Sequence, residues 1–361
     1  MRKIAFTILS IFLALIEIFG QSRSIVRVDS LLTEMTRQDV FSGAVLIANG
    51  SKILLSKGYG YSDRENKVKN TQSTRFDLSS GSKIFTGTAI TYLAQIGKIR
   101  FADSVGKYIS GLPKGNIITI HQLLTHSAGL DDFWKFKGFT YNNIKTCTDL
   151  IPVMRKLPLV YSPGDSCIYS TGNLIVLGAV IEKVTGKTYQ DYITELFIKP
   201  LNLTNTCFTP YWTLQESQRK YAIGYRKVDS VGYIRNAYNY DYGFIPLSAG
   251  GAWSSVLDLY KFDRAVFSAK IVNKEYLRKM TGRYAPQWES SHFGYIWITS
   301  ANKGLTSIGH PGVSSGWKAS NNYYPLEGYT IIVLSNLGSV DIFKLSGQIE
   351  EIVFEKDKYK H

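Results

Sequence analysis

Strand-like segments stand at both ends of this chain, and helix-like segments fill the space between them. Near the start, Gly43-Ala-Val-Leu-Ile-Ala-Asn-Gly-Ser-Lys-Ile-Leu-Leu-Ser-Lys-Gly58 holds two β-rich runs on either side of Asn49-Gly50, a favoured tight-turn dipeptide. Strand character returns after residue 290. Phe293 to Thr299 is aromatic and β-branched, Lys318 to Tyr324 alternates, and Tyr329 to Leu334 is continuous and apolar. In between, Ile120 to His126 reads as a short helix ended by Ser127-Ala-Gly. Asn173 to Val184 reads as a second helix closed by Gly186, and Tyr189 to Phe197 as a third running into Pro200. Ser255-Val-Leu-Asp258 has capping-box spacing before Leu259 and Phe262. Helical periodicity also marks 24–38 and 341–354. Two groups of strands so far apart share one sheet only if the middle of the chain folds out as an insertion. The pattern therefore predicts an α+β fold: an antiparallel sheet built from both ends, flanked by the terminal helices, with an inserted helical lobe and a cleft between sheet and lobe.

The first residues stand apart from that plan. Met1-Arg2-Lys3 is a positive start, and Ile4 to Phe19 is apolar except for Thr7, Ser10 and Glu17, with Gly20 following. This reads as a secretory signal peptide over 1–20, leaving 21–361 as one domain. The alternative is an uncleaved membrane anchor, although the run falls short of the ~20 apolar residues a span needs. Export to a periplasmic or extracellular location is the expectation. The formal charge is +14. Its basic residues are scattered, with no arm or dense run, so nucleic acid is not an expected partner, whereas association with an anionic surface is. The three cysteines, Cys147, Cys167 and Cys207, allow one disulfide in an oxidising compartment, its pairing left open. Their spacing is no metal pattern, and no cofactor or metal is expected. The chain is expected to act as a monomer on a small-molecule or peptide substrate.

Chemistry concentrates in Phe76-Asp-Leu-Ser-Ser80-Gly-Ser-Lys83-Ile-Phe-Thr86, where a hydroxyl and an amine stand three residues apart at the start of an apolar helix. On a helix such residues share a face, with Cβ atoms about 5–6 Å apart. A serine needs a base within hydrogen-bond reach to become a nucleophile, and a desolvated lysine has a lowered pKa suited to that task. Ser-x-x-Lys recurs at Ser104, Ser217, Ser300 and Ser315, so the bare pattern does not single out Ser80. Two further segments do. Tyr161-Ser-Pro-Gly-Asp-Ser-Cys-Ile-Tyr169-Ser-Thr171-Gly-Asn places Tyr169 in a loop just before a helix. Ile308-Gly-His310-Pro-Gly312-Val313-Ser-Ser-Gly316 enters a strand.

In order and spacing these three segments resemble the serine β-lactamase and penicillin-binding-protein superfamily, in the branch of class C β-lactamases, D-aminopeptidases, D-Ala-D-Ala carboxypeptidases and related esterases. The resemblance runs from about residue 40 to 337 and includes Leu123-Leu-Thr-His-Ser-Ala-Gly-Leu130 and Ala249-Gly-Gly-Ala-Trp-Ser-Ser255. It implies a β-lactamase/transpeptidase-like fold. It implies Ser80 as acylated nucleophile, Lys83 as its partner, and Tyr169 as a proton shuttle that accepts from Ser80 and donates to the leaving group. His310 would shape the cleft, and the N–H groups of Ser80 and Val313 would form the oxyanion hole. His126 and Ser127, by contrast, read as structural residues at a helix end.

Two departures bear on substrate. The family's Tyr-x-Asn is here Tyr169-Ser170-Thr171, so the amide that would grip a substrate carbonyl is replaced by a hydroxyl. In His310-Pro311-Gly312, proline stands where a threonine is common. The expectation is therefore an acyl-enzyme hydrolase of small esters or peptides, including D-amino-acid or cell-wall peptides, rather than a true β-lactamase. The alternative is a catalytically weak protein that holds cell-wall or peptide ligands in the same cleft.

Overall fold

The structure, a computed structural model, describes residues 23–210, 220–229, 231–236, 247–288 and 290–355. The expected signal peptide lies outside the described residues. Nine strands form one sheet: β1 (Gly43–Asn49), β2 (Lys52–Tyr59), β3 (Ala285–Trp288), β4 (Ser291–Phe293), β5 (Ile298–Asn302), β6 (Leu305–Gly309), β7 (Gly312–Val313), β8 (Lys318–Tyr324) and β9 (Tyr329–Ser335). Their order is β2-β1-β9-β8-β6-β5-β4-β3, with β7 paired to β8. Strand β1 lies antiparallel between β2 and β9, with Gly43 opposite both Tyr59 and Ser335. The sheet is thus closed from the two ends of the chain, as the sequence predicts.

Period-two alternation explains why the sheet is covered on both faces. Ala44, Leu46 and Ala48 of β1 join Ile332 and Leu334 of β9 in one apolar cluster with the helical lobe. Their neighbours Val45 and Ile47, with Ile331 and Val333, join Val28 and Leu32 of α1 (23–37) and Ile342, Leu345 and Ile349 of α5 (Ile342–Val353). A one-residue slip would exchange the two sets, so burial on both faces fixes the register.

Helix α2 (Lys83–Gln95) runs through the middle of the lobe and is buried on nearly every side. Its polar residues are satisfied internally: Thr88 and Thr91 donate to the carbonyls of Ile84 and Gly87, and Thr86 donates to Ser248 O. At Gly87 a Cβ would stand 2.5 Å from Tyr295 O and 2.8 Å from Ile296 Cβ, so the 294–297 turn packs where only glycine fits. Helices α3 (Thr171–Thr185) and α4 (Val256–Phe267) pack against α2 and against β1 and β9, respectively.

Four expectations are corrected. Phe293 to Thr299 is not one strand: Phe293 ends β4, Ile298 begins β5, and 294–297 is the turn between them. Gly294 N donates to Trp297 O at 2.7 Å, and Ile296 takes a left-handed φ of 71° with its side chain buried against α2. No disulfide forms: Cys147, Cys167 and Cys207 are free thiols, lying respectively against Ser248 Oγ, the Thr125 carbonyl and Tyr221 Oη. Ser255 caps α4, but the Asp258 carboxylate accepts from Asn205 N at 2.7 Å instead of closing a capping box. The third helix is regular only over Tyr189–Ile193, then widens into a π-type turn over Thr194–Ile198. Strand β3, unforeseen because Pro286 interrupts it, lies at the sheet edge, where a missing donor is tolerated.

Candidate active site

Ser80 is placed by a short strand pair and one strained residue. Phe76–Asp77 pairs with Trp253–Ser254, and Leu78 N donates to Ala252 O. Ser79 then adopts a left-handed φ of 49°, uncommon for a residue with a side chain, and its N–H is held by Asp77 Oδ1 at 2.6 Å. Its carbonyl accepts from Ser82 Oγ and Gly251 N. A single 3-10 turn, Ser79–Ser82, leads into α2, so Ser80 stands at the helix mouth with Lys83 one turn on.

The lysine is completely buried, and its Nζ donates to Ser80 Oγ at 2.8 Å and to the carbonyl of Ala249. Burial lowers its pKa to about 7; the charge of Asp132 opposes that shift. A substantial fraction of Lys83 is therefore a neutral amine at neutral pH, able to accept a proton. Tyr169 Oη donates to Ser80 Oγ at 2.8 Å, and its ring centroid lies 5.2 Å from Lys83 Nζ. Although 37% of the residue's surface remains open, protein crowds the hydroxyl, and desolvation pushes the phenol above its usual range. The bond to Ser80 opposes this and Asp132 reinforces it. Tyr169 thus keeps its proton, and Lys83, rather than a tyrosinate, is the group fit to accept one from Ser80.

Behind Tyr169 stands a wall that the sequence did not reveal. His126 is fully buried and its ring packs at a tilt against Tyr169 and Phe293, with centroids 4.8 Å and 4.7 Å away. Its Nδ1 accepts from Ser170 N, which places the proton on Nε2. Its carbonyl accepts from Tyr161 Oη and Ile168 N, tying down the segment that carries Tyr169. Desolvation, then the nearby His310 and Lys83, hold His126 well below the usual imidazole range. His310, 3% exposed, shares Nδ1–H with the Pro311 carbonyl at 2.7 Å, and desolvation together with Lys83 lowers it to about 3, so it is neutral.

Strand β7 closes the other side. A Cβ on Gly312 would sit 1.9 Å from Leu78 O and 2.9 Å from Gly81 N, so β7 lies directly on the Ser80 turn. Gly312 faces Ala319 and Val313 faces Lys318, and Ser314 N donates to Trp317 O in the same register. Antiparallel pairs alternate between bonded and non-bonded. With Ser314 and Trp317 bonded, Val313 is in a non-bonded pair, and its N–H points away from β8. Val313 is 49% exposed, so this edge borders solvent.

Thr171 departs from the expected role. It begins α3, and both its N–H and its hydroxyl donate to Asp132 Oδ1, at 2.7 and 2.6 Å. Its hydroxyl proton is therefore committed to the Asp132 carboxylate. Beside it a narrow apolar cavity lined by Phe133, Tyr141, Ile144, Ile175, Ala249 and Gly250 has room for about one water. A larger cavity of about 470 Å³, lined in part by Arg64, Glu65, Tyr225 and Tyr233, contains none of the residues around Ser80. Among the described residues no three His, Cys, Asp or Glu side chains converge as metal ligands would.

Fold and site together define a serine hydrolase of the β-lactamase/transpeptidase class. The Beta-lactamase family model matches residues 28–346, and the chain belongs to that family. It is 30% identical over 297 residues to the penicillin-binding-protein candidate PbpX of Bacillus subtilis (strain 168), covering 81% of this chain and 70% of that one. A penicillin-binding protein from Bacillus halodurans superposes with a TM-score of 0.80 at 25% identity, covering 88% and 98% of the two chains. An octameric penicillin-binding protein homologue from Pyrococcus abyssi gives 0.79 at 27% identity, covering 92% and 78%.

Proposed function

We propose that this protein is an exported hydrolase that cleaves small esters or peptides through an acyl-enzyme on Ser80. The observation that carries the reading is the placement of Lys83 Nζ and Tyr169 Oη, each 2.8 Å from Ser80 Oγ. Neutral Lys83 takes the Ser80 proton as Oγ attacks the substrate carbonyl. The tetrahedral oxyanion is received by the N–H groups of Ser80 and Val313, a donor pair of the kind whose members each lower a barrier by about 2.7–4 kcal/mol. The tetrahedral intermediate then collapses. Tyr169 passes its proton to the departing alkoxide or amine and is reprotonated by the Lys83 ammonium. Water hydrolyses the acyl-enzyme by the reverse proton path. His310 is a neutral wall of the cleft, and no metal or cofactor enters the scheme.

The expected location is outside the cytoplasm, on the reading of residues 1–20, and the expected state is a monomer. Cell fractionation and light scattering of the purified chain check these two points. The chemistry is tested by a fluorophosphonate probe or labelled penicillin followed by peptide mapping, together with turnover of short-chain p-nitrophenyl esters. Labelling of Ser80, and turnover abolished in Ser80→Ala, is the expected result. Labelling elsewhere, or ester turnover that survives Ser80→Ala, overturns it. The second reading, a ligand-holding protein of low activity, draws on Thr171, whose hydroxyl is taken by Asp132. Equal ligand binding by native and Ser80→Ala proteins, with no turnover in either, would favour it.

A further inference from the structure

Resting on the hydrolase reading and its oxyanion hole, we infer that Ser82 is a positioning residue of that hole: its hydroxyl holds the Ser79 carbonyl and, through the shared peptide unit, aims and strengthens the Ser80 N–H. The Ser79 C=O and the Ser80 N–H belong to one planar unit, and no peptide bond among the described residues is cis. The two groups therefore point in opposite directions and turn together, so whatever grips the carbonyl sets where the N–H points. Ser82 Oγ donates to that carbonyl at 2.6 Å and Gly251 N at 3.3 Å. Hydrogen bonds accepted at a carbonyl polarise the amide and make its N–H the better donor, by about 10–30% per bond.

A serine that bonds a carbonyl in the preceding turn is common by itself. Ser82 does more. It is fully buried, and its Oγ also accepts from Ala252 N at 3.1 Å. The 249–252 segment thus meets the nucleophile turn at four points. The Ala249 carbonyl accepts from Lys83 Nζ, Gly251 N reaches Ser79 O, Ala252 N reaches Ser82 Oγ, and Ala252 O accepts from Leu78 N. Glycine at 250 permits this approach, since a Cβ there would stand 3.2 Å from Ser79 O and 3.9 Å from Ser80 N. On the other side of Ser79, Asp77 Oδ1 holds its N–H at 2.6 Å and supports the left-handed φ of 49°. Ser82 is the side chain that joins the Ser79 carbonyl to the 249–252 backbone. Without its hydroxyl the carbonyl loses the shorter of these two bonds, and Ala252 N loses its acceptor.

The test combines p-nitrophenyl acetate turnover across pH with binding of two inhibitors, trifluoroacetophenone and the alcohol made by reducing it. Ser80 Oγ adds to the ketone carbon, the C=O π pair moves to oxygen as an oxyanion, and the Ser80 proton goes to Lys83; the alcohol has no such step. Ser82→Ala is expected to lose about tenfold or more in both ester kcat/KM and ketone affinity, while alcohol affinity stays within about threefold. The pH limb set by Lys83 at about 7 should not move. Ser82→Thr, which keeps the hydroxyl, should recover most of the loss. If Ser82→Ala does not fold, Ser82→Cys, whose thiol is a weak donor, takes its place in the comparison. An equal fall for ketone and alcohol, or a loss no larger than melting explains, would leave Ser82 a role in the fold alone and overturn the inference. A displaced pH limb would assign its effect to Lys83 and overturn it too. Ester turnover that depends on Ser80 yet is unchanged in folded Ser82→Ala refutes this inference alone. Failure of the native protein to turn over any ester refutes the hydrolase reading beneath it.

Discussion

The ring of His126 lies against the ring of Tyr169, centroids 4.8 Å apart and planes inclined by 33°. One imidazole thereby holds the phenol ring by tilted packing and fixes the following backbone through Ser170 N. Misplacing a reacting group by about 1 Å can cost about a hundredfold in rate. His126→Ala is therefore expected to lower kcat/KM for a p-nitrophenyl ester by about that factor. His126→Phe, which keeps a ring but leaves the Ser170 N–H unpaired, should fall between it and the native protein. Steady-state kinetics alongside thermal melts check whether the loss of activity exceeds what partial unfolding explains.

The second expectation concerns pH. The reaction needs neutral Lys83, whose pKa lies at about 7. Ester kcat/KM should rise with pH at low values and level off above about 7. His310 is already neutral across this range, so His310→Gln should leave the position of the limb unchanged. Lys83→Arg, which stays charged, should abolish turnover. A limb that moved with His310 instead would reassign the base.

Strand β7 and the Ser80 turn are in contact at backbone level. Gly312→Ala drives a Cβ to 1.9 Å from Leu78 O, a separation that forces one of them to move. Because Leu78 precedes the serine turn, the expected outcome is a loss of about tenfold or more in kcat/KM together with about 1–3 kcal/mol of stability. Denaturant titration beside kinetics measures both.

Away from the cleft, Asp263 on α4 is buried, accepts from Asn321 Nδ2 at 3.1 Å, and has its carboxyl raised by burial to about 7. Its folded pKa exceeds the unfolded one, so the folded state binds the proton more tightly. That contribution is complete below about pH 4 and is lost as pH rises through about 7, amounting to up to about 4 kcal/mol. Asp263→Asn should flatten the decline and leave the protein more stable than native at about pH 8. Urea unfolding at about pH 5 and pH 8 tests the sign.

Much of this was legible in the sequence because periodicity and turn chemistry are local. The alternation of Ala44 to Ala48 and the Asn49-Gly50 turn define the first hairpin without help from the rest of the chain. The Ser80 to Lys83 spacing put both groups on one helix face, and Gly186 ended α3 where predicted. What escaped was set by contacts across long stretches of chain. Nothing near His126 announces that it backs Tyr169, and nothing near Thr171 announces that its hydroxyl is spent on Asp132. The Phe293–Thr299 segment has strand composition throughout. It turns because Gly87, on another element, makes room for Ile296. Cys147, Cys167 and Cys207 looked pairable by number, yet each packs into a separate environment.

Strand β1 acquires its second neighbour only when β9, ending at Ser335, is in place. Any nascent chain is therefore left with an open sheet edge until nearly all of it has been synthesised. A nonsense mutation as late as the codon for Tyr329 would remove a central rib of the molecule rather than trim its tail.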